Sequence, residues 1–426
     1  MYGDILKMYQ KHILKNNLRL ITIPMKETKA ITLYLIVGTG SRFEGKSENG
    51  ISHFLEHLFF KGTKKRPDTL AISKELDSLG SSYNAFTSEE MTGFYIQAEK
   101  SKFSQICDIL FDIIENSKFE VSEIEKERGV IIEEFNMRRD TPMMYVFDLY
   151  KNLLYGNTPL GRLTIGQPET ILSIKHQNFI DYKENHYLSS STVVAAAGAL
   201  DQKSISILQK YGSRLKKGQS QEPVMFKDPQ QKAEILLLPN STDQAHMILG
   251  YTSIPRNSPD RYVQELLNII MGTTMSSRLF IELREKRGLC YHIASDLWYF
   301  YDTGSFLVYA GVIIKKIDEA IKLILKEFND IKEHGVSTEE LRKAKDNLKG
   351  KMALKLESSF NQASYYADQE LLLSEIITPK QELAELEKVK KEDIQKLARE
   401  IIQPEKLNLA IIGPFEDSKR FEKILT

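Results

Sequence analysis

Residues 53–57 read His53-Phe54-Leu55-Glu56-His57, inside the largely apolar run from Ile51 to Phe60. Positions four apart on a helix lie one above the other on the same face, so the two imidazoles can chelate a single metal ion. Glu56, three residues after His53, shares that face and sets a carboxylate beside whatever the metal holds. A metal acidifies a bound water, and a neighbouring carboxylate can take its proton; together they make hydrolytic chemistry. The order inverts the zinc-binding pattern H-E-x-x-H. The competing account is two hydrogen-bonded histidines on a half-buried helix. The rest of the chain must decide between them.

A hydrolytic zinc site takes three protein ligands and leaves a fourth position open. The segment EIEKERGVIIEEFNMRRD is the best source of the third. In a helix, Glu127, Val130, Ile131 and Glu134 fall on one face. Carboxylates among apolar residues are costly to bury without a positive partner. Glu133 reads as solvated surface charge, whereas Glu134 lies beside Ile131 and Phe135.

The elements that position these residues are legible from periodicity. HILKNNLRLITIP reads as a hairpin turning at Asn16-Asn17, and ITLYLIVG as a buried strand. A helix follows over 50–60, and SSYNAFT and TGFYIQA form an antiparallel pair. Amphipathic helices are expected at about 101–115, 121–139 and 143–154, and a strand at about 192–197. The pattern then repeats. YLIVG ends at Gly38 and HMILG at Gly250, an offset of 212; Gly93 and Gly304 differ by 211, and Gly198 and Gly413 by 215. The expectation is α+β: two homologous sandwich domains, each a mostly antiparallel sheet with helices on one face. Their boundaries are 1–212 and 233–426, joined by a polar linker at 213–232. Shifting His53, Glu56 and His57 by 212 gives Glu265, Asn268 and Ile269, so only the first half can hold a metal this way.

Composition narrows the class. The 426 residues exceed one ordinary core, and 42% hydrophobic with 27% charged residues describes a globular protein. Lys plus Arg and Asp plus Glu both number 58, so no overall field favours nucleic acid or an anionic membrane surface. Cys107 and Cys290 form no C-x-x-C pair and read as free buried thiols. The start, MYGDILKMYQKHILKNN, carries Asp4 and lacks the apolar stretch of a signal peptide; Arg is absent before Arg19, unlike a transit peptide. No segment has the length of a membrane span. A cytoplasmic, bacterial protein is the expectation.

GISHFLEHLFFKGT (50–63), NAFTSEEMTGFYI (84–96), PLGRLTIG (159–166) and SRLFIELREKRGLCY (277–291) together resemble the pitrilysin-type (M16) zinc metallopeptidases. The resemblance spans essentially the whole chain and is nearest to the two-domain, mitochondrial-processing-peptidase-like branch (M16B). It implies a third ligand 77 positions after the second histidine, which is Glu134, and a supporting glutamate seven residues earlier, Glu127. It also implies one Zn²⁺ per chain and peptide substrates laid along Asn84, Ala85, Phe86 and Thr87. The family's Arg/Tyr pair falls on Arg284 and Tyr291. In the family that pair faces the scissile region from the opposite wall of a chamber made by two subunits, so a homodimer is expected. Two departures bear on lineage: no proline follows His186-Tyr187, and Thr158 stands where many relatives have histidine.

The function expected is a zinc endopeptidase or oligopeptidase with Glu56 as general base. The rival is a noncatalytic structural or scaffold subunit of the same fold, against which the intact metal motif and the Arg/Tyr pair both speak.

Overall fold

Runs of alternating and wholly apolar residues give eleven strands in the computed structural model, which describes residues 8–219, 221–373 and 375–425. The expectation about a leader rests partly on residues 1–7, which lie outside the described residues. Contacts divide the chain into two units. One comprises the described residues up to Phe135, Leu163–Val224 and Ala353–Thr378; the other comprises Asn136–Arg162, Met225–Met352 and the residues from Pro379 on.

The first unit holds a six-stranded sheet: β1 (Gln10–Ile13), β2 (Arg19–Pro24), β3 (Ala30–Val37), β4 (Ser82–Thr87), β5 (Thr92–Glu99) and β6 (Thr192–Gly198), in the order β1-β2-β6-β3-β5-β4. The second holds β7 (Glu234–Pro239), β8 (Ala245–Ser253), β9 (Cys290–Tyr299), β10 (Gly304–Val312) and β11 (Leu407–Gly413), in the order β7-β11-β8-β10-β9. Only β2–β6 and β7–β11 run parallel; the other neighbours are antiparallel. Apart from β1, one sheet repeats the other strand for strand. The hairpin turn is where the sequence places it, with Asn17 in the left-handed region at φ 69°.

Helices on one face alone would leave half of β3 exposed, yet Ile31 to Val37 are all buried. A strand buried on both sides is a continuous apolar run. One face, with Leu33, Leu35, Phe94 and Ile96, packs on Phe54, Leu55, Ile106 and Phe179 from helices of the same half. The other, with Ile21, Ile23, Tyr34, Ile36 and Val193, packs on Ala363, Tyr366 and Ala367 of the helix Ser359–Leu372, which comes from the other end of the chain. Tyr34 Oη donates to Asp368 Oδ1 at 3.0 Å, and the Thr32 and Ser359 hydroxyls meet at 2.9 Å. The second unit does the converse. Val146, Tyr150 and Leu154 of the helix Pro142–Tyr155 cover Ile248, Leu307 and Ile412. The compact units are therefore not the contiguous stretches 1–212 and 233–426, because each takes one covering helix from the other half. Both faces of each sheet carry helices.

That exchange explains one repeated residue. A Cβ on Gly250 would stand 2.5 Å from Tyr150 Oη, and one on Gly38 would stand 3.3 Å from Leu371 Cδ1. Each glycine lets a covering helix approach its sheet.

Beneath the helix that carries the histidine pair lies a small buried polar cluster. Tyr182 Oη bonds Ser52 Oγ at 2.8 Å and Thr39 Oγ1 at 3.0 Å, and His186 Nδ1 lies 3.2 Å from the same Thr39 oxygen. The His186 ring stacks on Tyr182, and burial holds its imidazole down at about 4. Unfolded, it titrates near the usual 6.5. Between those values the unfolded chain binds the extra proton, so stability is full above pH 6.5 and falls as pH drops toward 4, by about 3 kcal/mol. His186→Gln should flatten denaturation free energy against pH over that window. Parallel curves for the two proteins would remove His186 from the acid response.

Candidate metal centre

The histidine helix, Ile51–Phe59, buries Ile51, Phe54, Leu55, Leu58 and Phe59 and turns His53, Glu56 and His57 toward a partly open side. Gly50 starts it in the left-handed region at φ 96°, with its Cα so near Gly166 that an added Cβ would lie 2.8 Å from that backbone. Gly166 closes the PLGRLTIG segment. The helix entrance is also held by Glu44, which the sequence reading missed. Its carboxylate accepts the Gly50 N–H at 2.7 Å, the Ser52 N–H at 2.9 Å and the Asn49 amide at 3.0 Å. Complete burial pushes that carboxyl up to about 7 against those three donors. Glu44 precedes the helix by more than a capping box allows, so no spacing signal marks it.

His53 and His57 stack edge to face with ring centroids 4.6 Å apart. Glu134, on the helix Val121–Arg139, brings one oxygen to 3.7 Å from His53 Nε2 and the other to 3.6 Å from His57 Nε2. One ligand atom from each of the three residues lies within 4.8 Å of the others, and this is the only such group of three among the described residues. Two nitrogens and one carboxylate oxygen so grouped fit one zinc ion, whose bonds to N and O run about 2.0–2.2 Å. Glu133 is exposed, as expected of surface charge. Val130, expected on the same face as Glu134, is also exposed at 51%. The buried residues of this helix are Ile124, Glu127, Arg128, Ile131 and Phe135.

Glu127 lies behind the histidines. Its Oε1 is 2.8 Å from His57 Nδ1, and its Oε2 is 2.5 Å from Lys61 Nζ. Burial opposes its charge, but the hydrogen bonds from His57 and Lys61 outweigh burial and hold it below the usual carboxylate range. An ionised carboxylate only accepts, so His57 Nδ1 carries the proton and Nε2 keeps its lone pair for a metal. Lys61 was not singled out in the sequence; it falls four residues after His57, just past the end of the helix. Glu127→Ala should weaken zinc binding by about 10–100-fold with all three ligands intact. Competition against a chelating dye measures it, and an unchanged dissociation constant would reduce Glu127 to packing.

Glu56 accepts a hydrogen bond from Thr87 Oγ1 at 2.6 Å. Burial raises its carboxyl above the ordinary range; Thr87 and His57 pull it down, and Glu134 adds to the rise. Thr87 ends β4, so Asn84, Ala85, Phe86 and Thr87 occupy the edge strand of the sheet, and the side of β4 away from β5 pairs with no described strand. The structure thus brings His53, Glu56, His57, Glu127, Glu134 and Thr87 together in the first unit.

Arg284 and Tyr291 belong to the second unit and meet each other there. The guanidinium lies 4.8 Å from the Phe280 ring centroid and 4.9 Å from that of Tyr291, which is 74% exposed. Neighbouring Arg278 is tied to Glu340 and Asp330, and Arg287 to Glu282. Both cysteines are free and buried. No helix among the described residues is long and apolar enough to cross a membrane.

Comparisons with known proteins give this chain its relatives. The insulinase (peptidase family M16) profile matches residues 19–168, and the profile of the M16 inactive domain matches 173–348. The uncharacterized zinc protease YmxG of Bacillus subtilis is 32% identical, over 96% of this chain and 98% of its own. An uncharacterized zinc protease of Streptomyces coelicolor is 31% identical, over 95% of this chain and 90% of its own. The crystal structure of a protease from Helicobacter pylori superposes with a TM-score of 0.89 at 23% identity, covering 95% of this chain and 99% of that one. The chain belongs to the M16 family of metallopeptidases.

Proposed function

We propose that this chain is a zinc endopeptidase of the two-domain M16B branch, cutting short or unfolded peptides with one ion per chain. The observation that carries this reading is the convergence of His53, His57 and Glu134 within 4.8 Å, with Glu56 on the same helix face. Bound there, zinc would supply Lewis acidity toward the scissile carbonyl. Glu56 removes a proton from the attacking water and returns it to the leaving nitrogen. A peptide adds as a strand along β4, so its main chain is held by Asn84 to Thr87 with little demand on sequence. Thr87 joins that edge to the base, through the 2.6 Å hydrogen bond to Glu56.

In the assembly we propose, a homodimer encloses the substrate, and Arg284 and Tyr291 of one subunit complete the site of the other. The planar guanidinium and the phenol are suited to anchoring the peptide backbone or the developing oxyanion. The test is a mixing experiment on a quenched peptide library. Glu56→Gln and Arg284→Ala proteins should each be nearly inactive, and an exchanged equal mixture should recover about a quarter of wild-type activity, because half the dimers contain one intact composite site. Wild-type protein without metal-dependent cleavage would sink the peptidase reading. An exchanged mixture without recovery would sink only the shared site.

A further inference from the structure

The second unit repeats the histidine helix without its metal chemistry, and what replaces that chemistry is a cavity. At an offset of 212, Ile51, Phe54, Leu55, Leu58 and Phe59 fall on Val263, Leu266, Leu267, Ile270 and Met271, all buried. The glutamate helix is repeated by Thr338–Lys355 at an offset of 217, where Ile124 and Glu127 fall on Leu341 and Ala344, its two buried residues. On these two offsets, 212 for the first helix and 217 for the second, His57 becomes Ile269, Lys61 becomes Thr273 and Glu127 becomes Ala344. The side chains that in the first unit link the two helices through His57, Glu127 and Lys61 are cut back to isoleucine, alanine and threonine.

A cavity of about 350 Å³ lies there, with Ile269 and Ala344 in its wall and Ser276, Lys343, Asp346 and Asn347 around them. Asn347 Oδ1 is buried without a hydrogen-bond partner, as is the Thr273 hydroxyl on the adjoining turn. A buried acceptor left unpaired calls for a donor. Lys343 and Asp346 bring charges of opposite sign to the rim. Their present partners, Glu339 at 3.4 Å and Arg342 at 2.9 Å, are exposed pairs that a ligand can displace at little cost.

We infer that this cavity binds a short apolar peptide bearing both free termini. The apolar side chain rests on Ile269 and Ala344, the α-ammonium faces Asp346 and takes Asn347 Oδ1 as acceptor once that half-buried side chain turns toward the cavity, and the carboxylate pairs with Lys343 and the Ser276 hydroxyl. The volume is at the lower end of ligand pockets, which suits a dipeptide rather than a longer chain. The site is separate from the metal centre and does not depend on the peptidase reading.

The test uses the full-length Glu56→Gln protein, so that a peptide is not consumed, and titrates leucyl-leucine by calorimetry and saturation-transfer NMR. Saturable binding at one per chain is expected. It should weaken at least about tenfold when Ala344→Phe fills the cavity or Asn347→Leu removes the acceptor. N-acetylation or C-terminal amidation of the dipeptide should weaken it similarly. Should Ala344→Phe prove unfolded by thermal denaturation, Asn347→Leu decides. No saturable binding, or equal affinity in the folded variants, overturns the proposal; the second result would put the dipeptide elsewhere, the metal centre included.

Discussion

Glu56→Gln should leave zinc in place and lower peptide hydrolysis by at least about 10³-fold, toward the upper range of what a positioned general base contributes. The replacement is isosteric, and its amide oxygen can keep the 2.6 Å hydrogen bond from Thr87. His53, His57 and Glu134 are untouched, so metal content should equal that of the wild type. What is lost is the basic oxygen beside the ligand cluster. Burial already makes the ionised form of Glu56 costly, and a buried carboxylate with a raised proton affinity is well matched to taking a proton and giving it back. Metal analysis and turnover must be measured on the same preparation. Wild-type turnover would remove Glu56 from the chemistry, and loss of zinc would make its role structural.

Much of this site could be read from spacing because a helix turns spacing into geometry. Five apolar residues at the right intervals bury one side of Ile51–Phe59, and the same period puts His53, Glu56 and His57 on the other. Glu134 was harder. Periodicity put Glu127 and Glu134 on one face of its helix and set Glu134 apart from Glu133 by its apolar neighbours, but only the family resemblance made Glu134 the third ligand. The contacts that hold the site were not legible, since each joins distant parts of the chain. Glu44 accepts from the helix entrance across a loop, Thr87 reaches Glu56 from an edge strand, and Lys61 matters only because Glu127 lies opposite. Such pairings are fixed by tertiary packing, which leaves no local period.

The covering helices are the larger case. Ser359–Leu372 shows an apolar face of Phe360, Ala363, Tyr366 and Ala367, but nothing in that face says which sheet it meets. The hint lay in β3, whose largely apolar run, broken only by Thr32, needs cover on both sides. Reading the duplication as two contiguous domains overlooked that demand.

A chain cut after residue 232 should therefore fail to fold cooperatively, although it contains every strand of the first sheet and all the proposed metal ligands. Without Ala363, Tyr366 and Ala367, the face formed by Ile21, Ile23, Tyr34, Ile36 and Val193 is left to water. Exposing five large apolar side chains costs on the order of 10 kcal/mol at about 1.5–3 each. A domain's whole net stability is roughly 5–15 kcal/mol, so the loss is of the same size as what holds the unit folded. Tyr34 and Thr32 also lose Asp368 and Ser359, leaving buried hydroxyls without those partners. Fusing residues 353–378 to the fragment through a flexible linker should restore a cooperative thermal transition, because that segment supplies the missing cover. Near-ultraviolet circular dichroism and dye binding to exposed apolar surface distinguish the two fragments. A fragment ending at 232 that melted sharply at the full-length temperature would show that the covering helix is dispensable to the sheet it covers.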